Sequence, residues 1–378
     1  MIRKLILIIP ALVFAFGNKQ QYEIDKKAQQ IGFSKIFYED KYGAFNSMVY
    51  DNSNNIIIAG VNRNSIVLKI DEHGNQLWEK RYGDRFSSAE YIEKASKNTY
   101  ILMTSIQGDK IGTQVLLIDT YGNLKGESFF PIILQQDSKI KQTKDKGFIL
   151  VSGYNIIKIN ANGFEVWHQK YKSIDFHENL DFNDFIELDN DEYLFIGKKW
   201  IKNKYEERSA YMMRTDSKGN VTWNKEYPSI KEFQKIIVKE NEFVLMGNTP
   251  LQVTITKMDK EGNIIWNYTR IDDTNTFGRD FILNQSGNLV VVGKEYVSDV
   301  KSYLMIFELT NNGELLWQNS YGLGLGKDTA TAILEVSDGY IMSGEINTTE
   351  YKENEFGLFP VTERAWIFKV NKQGVYRD

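Results

Sequence analysis

The sequence predicts an all-β fold, a seven-bladed β-propeller closed by an N-terminal strand. Three observations predict it. A turn glycine followed four residues later by Trp recurs along the chain, as Gly74 and Trp78, Gly163 and Trp167, Gly219 and Trp223, Gly262 and Trp266, and Gly313 and Trp317. An apolar run ending in a small residue precedes each glycine, as at 56–60, 149–153, 194–197, 244–247, 290–293 and 341–344, with a weaker copy at 101–105. The last repeat stops after Gly374, before its Trp, while a spare strand with aromatic residues four apart lies at 38–43, ahead of the first repeat. The period is roughly 40 to 60 residues, which is the range of propeller blades.

Each unit reads as four strands in order. A short alternating strand comes first, as at 47–50 or 332–336. The apolar run follows after a polar turn. Continuous apolar runs bounded by turn signals suit strands buried on both faces, as stacked blades require. A third strand comes next, as at 66–70, 211–214, 304–307 and 366–369. An Asp-x-x-Gly-Asn hairpin leads to the outer strand, where Tyr82, Tyr171, Tyr227 and Tyr321 each follow a Trp by four. The seven units are 45–83, 87–130, 136–172, 180–228, 232–272, 276–322 and 328–378. Insertions at 198–208, 295–302 and 345–362 all fall between second and third strands, so they should emerge on one face of the disc. The segment 33–42 is expected to pair with 365–376, with Tyr38 in the place of the missing Trp. Closure of this kind removes exposed strand edges.

Composition bounds the function. The chain has 378 residues, 42% of them hydrophobic and 13% aromatic, ample for a single large core-forming unit. Lys plus Arg number 46 against 50 Asp plus Glu, a net charge of -4, so no broad positive field calls for nucleic acid. Cysteine is absent, which excludes disulfides, thiolate metal sites, a Cys nucleophile and a lipid anchor through an N-terminal Cys.

Residues 1–17 read as a signal peptide. Arg3 and Lys4 precede an apolar stretch of about a dozen residues, short for a membrane span, and small residues before Asn18 offer a cleavage site. An uncleaved anchor is the alternative. Residues 18–32 form a polar lead-in, and 33–378 form one propeller. The mature chain is expected to be exported to the periplasm or outside the cell, as a monomer without a transmembrane segment.

The repeated motifs have two readings each. The Asp-x-x-Gly-Asn turn supplies oxygen atoms that could hold calcium, but one or two carboxylates per copy suit a hairpin whose Asp caps backbone N–H groups. The Trp and Tyr residues could form a sugar platform. Their recurrence in nearly every unit suits packing between blades, with each indole N–H on a backbone group. His73, His168 and His177 lie in different repeats and suggest no shared zinc site, and no metal or cofactor is expected. The glycine-rich stretch 322–327 follows a Trp strand without opening a helix, so it reads as a loop between blades rather than a phosphate loop.

A Gly followed by Trp at a strand hairpin, repeated through a propeller, resembles the tryptophan-docking repeat of quinoprotein-type (PQQ-like) propellers. It is more weakly similar to the Asp-box of sialidase-type propellers, which sets Trp closer to the Gly. The resemblance spans nearly the whole mature chain, at the level of the repeat. It implies a WD40-like or PQQ-like propeller fold. The quinoprotein enzymes also need an axial metal-binding cluster of carboxylate and Asn, which finds no match here, so no cofactor follows. The functional relatives it implies are non-catalytic scaffold propellers that bind other envelope proteins.

Two functions remain. The first is an exported binding or scaffold module for a protein or glycan partner. Its candidate binding residues are Lys198, Lys199, Trp200, Lys202, Lys204 and Tyr205, a stretch of lysines and aromatics that Glu206 and Glu207 partly neutralise. The second is a carbohydrate-active hydrolase or lyase with carboxylates near the axis. Asp184, Asp280 and Asp328 open inner strands and are its candidates, although Asp also caps strand starts.

Overall fold

The computed structural model describes residues 32–38, 42–83, 86–108, 110–135, 137–171, 178–201, 204–270, 274–348 and 363–376. Residues 1–31, which hold the expected signal peptide 1–17 and nearly all of the expected lead-in, lie outside them, as do Lys202 and His177. The described residues form 28 strands in seven four-stranded antiparallel sheets, a seven-bladed β-propeller. Blades 1 to 6 are built from consecutive strands within 44–82, 88–130, 139–170, 178–227, 232–269 and 275–321. Blade 7 takes three strands from 329–371, and its fourth is Phe33–Phe37, which pairs antiparallel with Glu363–Asn371. The N-terminal strand therefore closes the ring.

The core is a set of layers between blades. Seven buried clusters occur among the described residues, each shared by one adjacent pair of blades. The run Val290, Val291 and Val292 explains how. Val290 and Val292 pack towards blade 7, and Val291, pointing the other way, packs towards blade 5. Successive side chains in a strand face opposite sides, so an unbroken apolar run serves two interfaces.

Each outer strand locks onto the next blade. The rings of Trp78, Trp167, Trp223, Trp266 and Trp317 lie against Gly122, Gly219, Gly262, Gly313 and Gly374 of the following hairpin. A Cβ on Gly313 would fall 2.9 Å from Trp266. Four residues on, Tyr82, Tyr171, Tyr227 and Tyr321 donate their hydroxyls to the same glycine carbonyls, at 2.6, 2.6, 2.8 and 2.5 Å. Blade 2 lacks the Trp, and Ser128 Oγ reaches the Gly163 carbonyl at 2.7 Å instead.

Two sequence expectations need correction. Tyr38 does not take the place of Trp in blade 7. Phe33 does, because it pairs with Lys369 as Trp78 pairs with Lys69, and its ring lies against Gly74. Phe37 pairs with Ala365 where Tyr82 pairs with Ser65. Tyr38 has left the strand at φ 59, and its hydroxyl donates to Glu79 Oε2 at 2.9 Å. The 38–42 spacing imitated the true one at 33–37. The indole N–H groups also do not all find backbone partners. Trp167 donates to the Ser217 carbonyl and Trp317 to the Glu308 carboxylate, while Trp78 and Trp266 find no acceptor among the described residues. Ring stacking on glycine fixes these side chains, and the N–H is secondary.

Candidate functional site

The innermost strands carry a ring of equivalent residues: Ser47, Tyr91, Lys139, Asp184, Lys235, Asp280 and Ala332. Register defines it, since each stands opposite the same second-strand position. The charged members of blades 3 to 6 alternate in sign. Asp184 pairs with Lys141 of blade 3, accepts the N–H of Phe185 at 2.8 Å, and accepts Ile236 N–H of blade 5 at 3.1 Å. Asp280 repeats this with Lys235 of blade 5, Phe281 N–H and Ile333 N–H of blade 7. Each Asp thus clamps three blades. Lys139 lies 4.5 Å from the Tyr91 ring centre, and burial lowers its pKa against the pull of Asp184.

Asp328 stands apart from that ring. It is fully buried at the start of blade 7 and accepts N–H groups from Leu323, Gly324 and Asn347. The glycine-rich stretch 322–327 therefore wraps the protein's own carboxylate. Burial outweighs these donors and pushes Asp328 up to about 7. None of these hydrogen bonds or ion pairs joins Asp328 to Asp184 or Asp280.

Strand direction puts the second-to-third hairpins and the links between blades on one face. The channel mouth there is densely charged. Arg279 of blade 6 reaches Asp137, beside blade 3, with Nη1 and Oδ1 3.4 Å apart. Arg279 and Lys294 both lie over the Phe277 ring, at 4.9 and 5.7 Å. Burial first, then Arg279 and Lys327, press Lys294 down to about 8. Burial, then Glu363, pushes Glu345 up, and burial pushes Glu90 up.

Beside the mouth a cleft of about 380 Å³ opens between blades 2 and 3. Glu90 and Ser105 line its inner part, and Gln107, Ile111, Ile133 and Gln135 its walls. Ile111 is 62% exposed and Ile133 64%. Sequence reasoning missed this cleft because its walls come from the ends of two strands in blade 2 and from the separate loop before blade 3. Exposed isoleucines at those places were the available signal.

The lysine-rich stretch forms the second-to-third hairpin of blade 4, between Tyr193–Ile201 and Lys204–Thr215. Lys198 pairs with Glu232 of blade 5 at 3.1 Å, and Lys199 with Glu178 at 2.9 Å and Glu226 at 3.4 Å. The hydrogen bond to Glu178 leads in raising the Lys199 pKa. Trp200 is half-buried and donates its N–H to Asp181 Oδ2 at 2.7 Å. Lys204 pairs with Glu207 at 2.9 Å. Tyr205 lies in the third strand. The acids that neutralise these lysines are mostly contributed by other strands.

In the repeated turns the Asp carboxylates accept N–H bonds. Asp71 takes the backbone N–H of His73 and Asn75 and the Asn75 amide, and Asp119 and Asp216 repeat the pattern. These bonds hold both Asp71 and Asp119 below the usual carboxylate range despite some burial. His73 is exposed beside Glu72, and His168 hydrogen-bonds Asn155 at 3.1 Å.

No family model and no curated protein matches the chain. The WD40 β-propeller domain of Doa1 is similar in structure, with 11% identity and a TM-score of 0.56, covering 89% of this chain and 96% of that one. A protein of unknown function from Bacteroides caccae has 12% identity and a TM-score of 0.43, over 61% and 83%. The first likeness concerns the WD40-type propeller fold alone. Among the described residues no helix is long and apolar enough to cross a membrane.

Proposed function

We propose that the chain is an exported, non-catalytic propeller that binds a protein or glycan partner through the face bearing the second-to-third hairpins. One observation carries this reading. The inner-strand carboxylates Asp184 and Asp280 are consumed by lysines and backbone N–H groups of neighbouring blades, while the irregular features, the cleft and the charged mouth, gather on one face. Lys198, Lys199, Trp200 and Lys204 of the blade 4 hairpin would add a charge-balanced rim to that surface, and Lys202 and Tyr205 belong to the same proposed binding stretch. Balanced charge favours a specific partner over a polyanion. The aromatic rings stacked on glycine support kinship with the quinoprotein-type Trp-repeat propellers, and residues 1–17 support export.

Capture from envelope extracts tests the reading. Residues 18–378 serve as bait beside two variants. Ile111→Glu with Ile133→Glu alters the proposed face. Tyr121→Ser with Phe164→Ser alters the opposite face, where these side chains are 70% and 69% exposed. The same partner should be held by the wild type and the second variant and lost from the first. Retention by the first variant and loss from the second would overturn the proposal.

A further inference from the structure

The cleft between blades 2 and 3 has a chemical preference. Glu90 is the extra residue of an inner-strand bulge between Ala89 and Tyr91, a feature that re-aims a side chain. Equivalent bulge residues have partners. Asn46 donates to the Ala89 carbonyl, Asn183 to the Phe233 carbonyl, Thr331 to the Phe45 carbonyl, and Arg279 to Asp137. Glu90 instead receives hydroxyls, from Ser105 at 2.9 Å and from Ser88. Four other carboxylates around the channel have cations: Asp137 with Arg279, Asp184 with Lys141, Asp280 with Lys235, and Glu232 with Lys198. Among the described residues no cation pairs with Glu90. Lys110, on the hairpin beside it, lies over the Phe129 ring, 5.7 Å from its centre.

We propose that this cleft takes a basic side chain of a protein partner, its aliphatic stem between Ile111 and Ile133 and its cationic end on Glu90. The walls suit the stem because methylene groups gain by leaving water. The carboxylate suits the head because an ionised carboxylate only accepts hydrogen bonds and two hydroxyls leave acceptor capacity unused. Desolvation pushes the Glu90 carboxyl up, and an arriving cation would reverse that effect. This inference rests on the proposed binding face.

Methyl NMR on protein labelled at isoleucine δ1 carbons tests it, with n-butylammonium as the probe and n-butanol as its neutral match. Butylammonium should shift the Ile106, Ile111 and Ile133 methyls and bind about tenfold more tightly than butanol, the scale of one charge-assisted hydrogen bond. Glu90→Gln, which keeps an acceptor for Ser105, should abolish the difference while leaving the remaining isoleucine signals in place. Equal binding of the two probes, or no shift with butylammonium, would overturn the inference. Either result, alongside partner loss in the Ile111 and Ile133 variant, would leave the binding face standing and remove only its preference for a basic side chain.

Discussion

Arg279 crosses the channel to Asp137. The two residues belong to blades 6 and 3, which meet only through the centre of a seven-bladed ring, and their charged atoms lie 3.4 Å apart. This bridge spans the mouth and puts a positive charge beside Lys294.

Arg279→Met should therefore raise the Lys294 pKa from about 8 towards the ordinary lysine value of 10.5. Burial would hold it below that value, since desolvation is the larger cause and Lys327 remains. Titration of the lysine side-chain signals by NMR reads this shift directly. An unchanged Lys294 would mean that the guanidinium does not face it.

Asp184→Ala should destabilise the ring by about 3–5 kcal/mol, the range for breaking a buried pair on one side. The loss leaves Lys141 without its counter-ion and the Ile236 N–H without its acceptor, so blades 3, 4 and 5 loosen together. Denaturant unfolding measures it. A cost below about 1 kcal/mol, typical of exposed ion pairs, would contradict the clamp.

Asp328 should make stability depend on pH. Its folded pKa, about 7, lies above the ordinary 3.8, so the folded chain keeps a proton that the unfolded chain releases. That stabilisation is fully present below about pH 4 and is lost as pH rises through about 7, with a slope of up to about 1.4 kcal/mol per unit. Other raised carboxyls, such as Glu90 and Glu345, act with the same sign. The difference between wild type and Asp328→Asn across pH 4 to 8 isolates this one group. A difference independent of pH would contradict the assignment.

The fold was legible because its signals are local. Gly313 and Trp317, or Gly219 and Trp223, announce a hairpin and an outer strand within five residues, and repetition does the rest. The closing strand was legible in kind but not in register. Phe33 and Phe37 have the spacing of Trp78 and Tyr82, and so do Tyr38 and Tyr42, and only pairing with Lys369 decides between them. The candidate site was scarcely legible. The sequence pointed to Glu206 and Glu207 as the acids beside the lysine stretch, whereas Lys198 and Lys199 pair with Glu232, Glu178 and Glu226 of other strands. Ile111 and Ile133 become one cleft only when a strand end of blade 2 meets the loop before blade 3.

Ring closure through aromatic residues stacked on glycine is most directly tested at Phe33 and Gly74, by a double-mutant cycle of Phe33→Ala and Gly74→Ala followed by denaturant unfolding. Gly74 has φ +74, which alanine adopts only with strain, and an added Cβ would lie 2.6 Å from the Phe33 ring. Each single change should destabilise, Phe33→Ala by about 2–4 kcal/mol for the lost ring. The double variant should cost less than the sum by at least about 1 kcal/mol, because removing the ring relieves the clash. Additivity to within about 0.5 kcal/mol would mean that the two residues do not touch, and the closing contact would be contradicted.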